Sequence, residues 1–280
     1  MNRKRLIVAA LIGTLFVWPR PAVSSTGEIL PKLAGIQQWT QDASSLKLAG
    51  LLSEGIGSYE RLNDYRALFK KKELSGGALG EEEQIFFKFE KPFKLFMKWQ
   101  NTGKKGLQVL YERGRHDGKL AIHQPGLLLG LAPVVFLDRS SPWVRQGSES
   151  YDIEDAGIGT FLYDMAEMVV KGASEGSLAV TFSSGQGGET ADVRFPGTTE
   201  DAEGYFAYRV VTTFDEATRL PVKMTLYDWR ENVTGIYAYE DLSVDVGAED
   251  EPFRREAQRQ LFKLYHPEKR STKRVNFASK

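Results

Sequence analysis

The sequence contains no cysteine and only three histidines in 280 residues. The absence of cysteine excludes disulfide bonds, thiolate metal sites and a lipid-modified cysteine. The zinc-hydrolase motif HExxH, the nucleophile motif GxSxG and a phosphate-binding loop of the Walker type are also missing. The sequence therefore predicts neither an enzyme nor a site for a metal or cofactor.

One catalytic hypothesis stays open at this stage. His116 precedes Asp117 in a predicted turn, and His123 ends a predicted strand. A hydrolase or isomerase could use either imidazole with a nearby carboxylate, although surface and turn positions are the more common use of such histidines. The acidic run 81–83 is interpreted as keeping a strand edge soluble rather than binding a cation.

The first 24 residues have the pattern of a secretory signal peptide. A basic start (Arg3, Lys4 and Arg5) precedes a short apolar run, Leu6–Trp18, and small residues follow at 22–24. Cleavage is predicted near Ser24. The competing interpretation is a membrane anchor, but thirteen apolar residues are short for about 30 Å of hydrocarbon. An exported chain without cysteine fits the bacterial periplasm, with no membrane span left after cleavage.

The charge balance argues against nucleic acid as a partner. Removing the four basic residues of the signal peptide from a total of 37 leaves 33, against 37 acidic residues. A mildly acidic protein has no electrostatic attraction for a phosphate backbone. The last stretch is different, because basic residues dominate from Phe253 onward. We predict a C-terminal helix over 251–264 and a basic tail.

Four segments are predicted along the chain: a signal peptide at 1–24, a flexible lead-in at 25–41, one domain at 42–247, and the C-terminal helix and tail at 248–280. Within the domain, helical periodicity predicts helices starting near Asp42 and near Gly157. The strands are predicted at 62–74, in four runs between 84 and 123, and at 178–182, 190–195, 205–214, 221–228 and 235–244.

The four runs between Gln84 and His123 alternate with a period of two residues. Such alternation places one set of side chains on each face of an antiparallel sheet. Most side chains between the apolar ones are polar, which predicts one face in water and one apolar face. The apolar face is predicted to bind the ligand through Ile85, Phe87, Phe89, Leu95, Met97, Trp99, Val109, Tyr111, Leu120 and Ile122.

The width of this sheet exceeds the cover that the predicted helices offer. Ten strands at about 4.8 Å spacing span about 45 Å, and each helix covers about 10 Å. The sheet must therefore curl on itself, pack against another sheet or enclose something apolar. Curling around two helices would leave a hollow, and hollows of this kind usually hold ligands.

Two further regions are predicted to contribute to that hollow. The segment 124–137 is strongly apolar but interrupted by glycine and proline, and it is interpreted either as core or as a flap over the opening. Helical and C-terminal strand residues would complete the walls. The remaining predicted ligand-binding residues are Leu128, Leu131, Phe161, Met165, Met224 and Leu226.

Two stretches resemble a known family. The run Asp215–Met224, followed by Tyr237–Leu242, resembles the closing strands of LolA/LolB-type periplasmic proteins, which have an Asp-x-x-Thr-x-Leu-Pro turn there. The run Lys91–Trp99, with Asp117–Leu120, resembles an uncharacterised bacterial domain family related to them. The resemblance implies an α+β fold: a curved antiparallel half-barrel of about ten strands with two or three helices covering its mouth and an apolar cavity between them.

The resemblance also implies a function. Relatives of this kind carry the acyl chains of lipoproteins or other lipids across the periplasm, or sense such molecules in envelope-stress regulators. The prediction is a soluble periplasmic carrier or binding protein for a lipid or lipoprotein acyl chain, with a transient envelope protein partner. The alternative is a sensor or scaffold module that binds a protein or glycan without lipid. A filled interior would favour this alternative.

Overall fold

The computed structural model describes residues 26–75, 77–124, 134–141, 153–176, 178–185, 187–197 and 204–247. Three α-helices occur in these ranges: α1 (Thr26–Ala34), α2 (Ala43–Arg61) and α3 (Ile158–Ser174). Short 3₁₀ turns cover Ile36–Gln38, His116–Gly118 and Ile153–Asp155. Residues 1–25 and 248–280, which hold the predicted signal peptide and basic tail, lie outside the described residues.

Twelve strands form one antiparallel sheet. Along the sheet the order is β7-β6-β5-β4-β3-β1-β12-β11-β10-β9-β8, and the short β2 pairs only with β1. The sheet is open, with β7 and β8 at its edges. The strands are β1 (Asp64–Ser75), β2 (Ala78–Leu79), β3 (Glu83–Glu90), β4 (Lys94–Trp99), β5 (Gln108–Glu112), β6 (Leu120–His123), β7 (Val134–Leu137), β8 (Ala179–Gly185), β9 (Gly188–Arg194), β10 (Arg209–Phe214), β11 (Pro221–Tyr227) and β12 (Val233–Val244).

This architecture confirms the predicted curved half-barrel with helices over one face. The helices contact one another and cover the concave face of the sheet, where their apolar side chains and those of the strands form one core cluster. Helix α2 begins where the sequence predicts, because the Asp42 carboxylate accepts a 2.7 Å hydrogen bond from the Ser45 amide. This bond caps an otherwise unsatisfied amide and lowers the pKa of Asp42.

The predicted flexible lead-in is wrong for residues 26–38. Helix α1 and the 3₁₀ turn after it bury Ile29, Leu33 and Ile36 against the core. The helix has only nine residues and contains Pro31, so its periodicity is short and interrupted. Burial against the other helices stabilises it where intrinsic propensity would not.

The predicted wet face is also only partly correct. On the convex side of β3–β7, residues between the predicted inward positions form a second apolar cluster around Phe96, Leu110 and Ala121, with Phe86, Val134 and Phe136 packed against it. Residues 134–137, which belong to the predicted core or flap segment, form edge strand β7 beside β6. The rest of that segment, including Leu128 and Leu131, lies outside the described residues.

The start of α3 is fixed to the sheet by one buried hydrogen bond. The Ile158 amide donates to the Tyr65 hydroxyl at 3.1 Å, across 93 residues of sequence. Gly157 directly before it has φ +118°, a conformation that favours glycine. A Cβ atom at Gly157 would lie 2.7 Å from the Tyr65 hydroxyl. The backbone can therefore approach Tyr65 only because residue 157 has no side chain.

Replacing Gly157 with alanine should lower the free energy of unfolding by about 2–4 kcal/mol, because it adds backbone strain and displaces the Tyr65 hydroxyl. Gly50→Ala is the matched control: Gly50 lies inside α2 with no atom near its missing Cβ, so alanine should stabilise by about 0.5–1 kcal/mol. Urea unfolding of both variants measures the effect. A Gly157→Ala protein as stable as the parent would contradict this role.

Candidate ligand-binding site

The concave face of β1, β3, β4 and β12 is a wall of large apolar side chains arranged in rows across the strands. One row consists of Tyr239, Phe69, Ile85 and Trp99, and the next contains Ala67, Phe87 and Met97. The rings pack against one another, with 4.8 Å between the ring centroids of Phe69 and Tyr239 and 5.8 Å between those of Tyr65 and Phe87. Each of these side chains is buried.

A pocket lies between this wall and the segment that leads into α3. We refer to Ile153–Gly157 as the roof segment and to this space as the central pocket. The space open to the centre of a water molecule is about 10 Å³, which is enough for one water and not for a hydrocarbon tail. The lining residues are Phe69, Lys71, Ile85, Phe87, Met97, Trp99, Ala156, Gly157 and Tyr239.

The central pocket is thus too small for a hydrocarbon tail as it stands. The estimate from the sheet width left out α1, which adds a third helix to the cover. Whether a larger hollow exists stays a prediction. A ligand as large as an acyl chain would have to displace the roof segment or a helix.

The end of the central pocket near β2 is charged. Lys71 points to the concave face and only 3% of its side chain is exposed. Its ammonium group lies 2.7 Å from the Glu73 carboxylate and 3.9 Å from that of Glu83. Glu83 also accepts a 2.7 Å hydrogen bond from the Trp99 indole and pairs with Lys104. We refer to Lys71, Glu73, Glu83 and Lys104 as the charged cluster.

The charged cluster keeps Glu83 ionised. Burial raises the pKa of Glu83. The nearby Lys71 ammonium and the hydrogen bonds from Lys104 and Trp99 lower it by a larger amount, so the net shift of the pKa is downward. In the register of the sheet, Lys71 stands directly opposite Glu83 on β3 and Tyr237 on β12. A buried ammonium group needs such partners, because an unpaired charge in this setting costs several kcal/mol.

A second group of charges holds the roof segment against the sheet. The Glu154 carboxylate receives hydrogen bonds from the Tyr111 hydroxyl and, at 2.8 Å, from Arg113, and lies 2.6 Å from the Arg139 guanidinium. Burial raises the pKa of Glu154, whereas these partners lower it, and the net direction is down. Arg113 is half exposed, so water screens this group more than the charged cluster.

The predicted ligand-binding residues are brought together on one surface. Fourteen of them belong to the same core cluster: the ten from the β3–β6 region, Phe161 and Met165 of α3, and Met224 and Leu226 of β11. Four of these line the central pocket, namely Ile85, Phe87, Met97 and Trp99. The other two, Leu128 and Leu131, lie outside the described residues. Whether any of the sixteen binds a ligand stays a prediction.

Sequence reasoning missed the other lining residues. Phe69 and Lys71 continue the period-two alternation of β1, and following that alternation past Ala67 would have placed Lys71 on the concave face. Glu83, interpreted as a solubilising residue, turns inward for the same reason. Ala156 and Gly157 carry no signal of their own, because they reach the pocket through the distant contact between α3 and Tyr65.

The histidines occupy different settings. His116 lies in an exposed 3₁₀ turn with its ring 5.1 Å from that of Phe136, and His123 is half-buried at the end of β6. His266 is outside the described residues. Within the described ranges, no group of three or more His, Asp or Glu side chains is arranged to hold a metal ion. None of the helices described is long and apolar enough to cross a bilayer.

Comparison with known proteins identifies the family. Residues 62–262 match the family described as "Protein of unknown function (DUF1571)". The chain belongs to the DUF1571 family. The match covers more than half of the chain and extends beyond residue 247, where the sequence predicted the domain to end. A comparison with curated protein sequences finds no significant match.

Solved structures of similar fold come from several bacteria. A putative outer membrane lipoprotein-sorting protein domain from Vibrio parahaemolyticus is 11% identical, with a TM-score of 0.32 over 74% of this chain and 98% of that one. A LolA superfamily protein from Nitrosomonas europaea is 9% identical, with a TM-score of 0.30 over 72% and 95%. A chain of the Pseudomonas aeruginosa MucA/MucB complex is 12% identical, with a TM-score of 0.39 over 72% of this chain and 59% of that one.

The structure itself confirms the fold that the resemblance implies: this DUF1571 domain is a curved antiparallel half-barrel with helices over its concave face. At such low identity and TM-score, the likeness carries no argument about ligand or partner. Those questions have to be answered from the residues of the DUF1571 domain itself.

Replacing Glu83 with glutamine should lower the free energy of unfolding by about 1–3 kcal/mol at pH 7, because Lys71 and Lys104 each lose a charged partner. Glu82→Gln is the matched control: Glu82 faces Lys72 at 3.9 Å in a partly exposed pair, which is worth less than about 1 kcal/mol.

The effect of Glu83→Gln should depend on pH. Because folding lowers the pKa of Glu83, its contribution is present above the unfolded value of about 4.3 and is lost as the pH falls through the folded value. The difference in stability between parent and variant should have its full size above about pH 5 and should shrink below about pH 4. Thermal unfolding across this range measures it, and a gap that widens in acid would contradict the assignment.

Proposed function

We propose that this DUF1571 domain is a periplasmic carrier or binding protein for a lipid or other acyl-bearing ligand. The observation that supports the proposal is the central pocket, where an aromatic wall meets the roof segment. Export depends on the predicted signal peptide at 1–24, which is part of the proposal. The residues proposed to touch the chain are those that line the central pocket.

Binding requires the roof segment to move, because the central pocket holds about one water as it stands. The described polar contacts that hold the roof segment and the start of α3 against the sheet include the bond from Ile158 to Tyr65, the bond from Tyr111 to Glu154 and the partly exposed pairs of Glu154. Exposed ion pairs are worth about 0–1 kcal/mol each. Burying a sixteen-carbon chain gains about 10 kcal/mol before entropic losses. The gain is large enough to offset the loss of these contacts.

A second candidate is the protein- or glycan-binding module, which is supported by the small volume of the central pocket. Such a module needs no internal space, and its core would remain closed during function. The two candidates differ in what accompanies the purified protein. A carrier is expected to copurify with lipid. A protein- or glycan-binding module is expected to copurify with one stoichiometric partner and no lipid.

Native mass spectrometry of the protein purified from its host, followed by lipid extraction, tests the proposal. We expect a mass excess that corresponds to one acyl-bearing molecule, and displacement of that molecule by a fluorescent fatty acid. A protein that is purified without lipid and does not bind the fluorescent fatty acid would contradict the carrier function.

Replacing Ala156 with leucine should weaken fatty-acid binding by at least about tenfold, because the larger side chain fills the central pocket next to Phe87. Ala43→Leu is the matched control, since Ala43 is exposed at the start of α2 and far along the chain from the roof segment. Thermal unfolding of both variants checks that they fold. Unchanged affinity in a folded Ala156→Leu protein would place the ligand elsewhere.

A further inference from the structure

The charged cluster lies in an unexpected place for a structural ion pair. Lys71 is part of the lining of a pocket whose other walls are almost entirely apolar. A buried ion pair is weak evidence of a stabilising role, because apolar residues of similar size often stabilise as well or better. Ligand pockets, in contrast, commonly combine apolar walls with a few polar groups that fix the orientation of the ligand.

The two described carboxylate partners of Lys71 differ in how firmly other groups hold them. Glu83 is also bound by Trp99 and Lys104. Glu73, the nearest of the described partners of Lys71, has one further described contact, with the Tyr237 hydroxyl at a weak 3.4 Å. Its side chain is 18% exposed, against 3% for Lys71. Glu73 can therefore turn toward water and leave Lys71 to another anion, while Glu83 keeps its place.

The geometry matches an amphiphile with one anionic head. From Lys71 to Ala67, β1 extends about 13 Å along the aromatic wall at about 3.3 Å per residue. The far end of this stretch lies beneath the roof segment, because a Cβ atom at Gly157 would be 3.9 Å from the Phe87 ring. A tail placed along the wall would therefore have its head at Lys71 and its end under the roof segment.

We propose that Lys71 is the head-group site for a single anionic group, either carboxylate or phosphate, which replaces Glu73 as its partner. This inference rests on the proposed acyl-binding function and specifies the ligand class. The ligand is an acyl chain with a negatively charged head, and a neutral or cationic head is disfavoured. Glu83 and the Trp99 indole nitrogen hold the surrounding side chains in position and do not touch the anionic head group.

Titration calorimetry with dodecanoate, dodecyl phosphate and dodecanol tests the site, because the three share one tail. The parent protein should bind both anions about tenfold or more tightly than the alcohol, as expected of a charge-assisted hydrogen bond. Lys71→Met should bind all three with similar affinity. Lys70→Met is the control: Lys70 points to the opposite face and pairs with Glu240 at 2.7 Å, so this variant should keep the preference.

Glu73→Gln should change anion affinity in the opposite direction from Lys71→Met. Removing the competing carboxylate should tighten binding of both anions several-fold and leave dodecanol unchanged. A purely structural ion pair would instead lose stability without any gain in affinity. This variant also decides the question if Lys71→Met fails to fold, which thermal unfolding will show.

The failures of the two proposals can be distinguished. A parent protein that binds none of the three amphiphiles contradicts the acyl-binding function and this site with it. A parent that binds all three equally, or a folded Lys71→Met that keeps the anion preference, contradicts the head-group site alone. Preference for only one of the two anions supports the site and identifies the head group as carboxylate or phosphate.

Discussion

Burial of one apolar sheet face is the constraint on which the rest of this structure depends. Twelve strands curve so that their concave side carries the aromatic rows of β1, β3, β4 and β12. No antiparallel sheet of this size can leave such a face in water, because each large side chain contributes about 1.5–3 kcal/mol by being buried. The helices and the roof segment are placed where they cover it. Their positions follow from that requirement more than from their own helical propensity.

The charged cluster is the main exception to this apolar burial. Lys71 and Glu73 continue the inward positions of β1 beyond Phe69, so the sheet itself directs their charges into the covered space. Lys71 pairs with Glu73 and Glu83, and Glu83 in turn pairs with Lys104 and accepts a hydrogen bond from the Trp99 indole. This arrangement gives the central pocket one polar end and one apolar end. A pocket with one charged end and one apolar end is suited to an amphiphile. The packing of the core is in this way connected to the proposed ligand class.

The sequence predicts the parts of this fold that depend on local pattern. Alternation between Ile85 and Ile122 places the aromatic wall correctly, and capping by Asp42 locates α2. The sequence pattern did not predict the convex cluster around Phe96. The residues that alternate with the inward-facing positions were all treated as polar, although several of them are apolar. The roof segment could not be predicted, since its end is fixed to the sheet by the bond from the Ile158 amide to Tyr65, which no local pattern encodes. Helix α1 was missed because tertiary contacts stabilise it.

The central claim is that a ligand separates the roof segment from the aromatic wall. Because the chain has no cysteine, Asp155→Cys in the roof segment and Lys88→Cys on β3 would carry two spin labels without background. Electron paramagnetic resonance then measures the distance between them with and without dodecanoate. The account predicts that the distance increases by about 4 Å, the thickness of one packed hydrocarbon layer. An unchanged distance in a protein saturated with dodecanoate would contradict it.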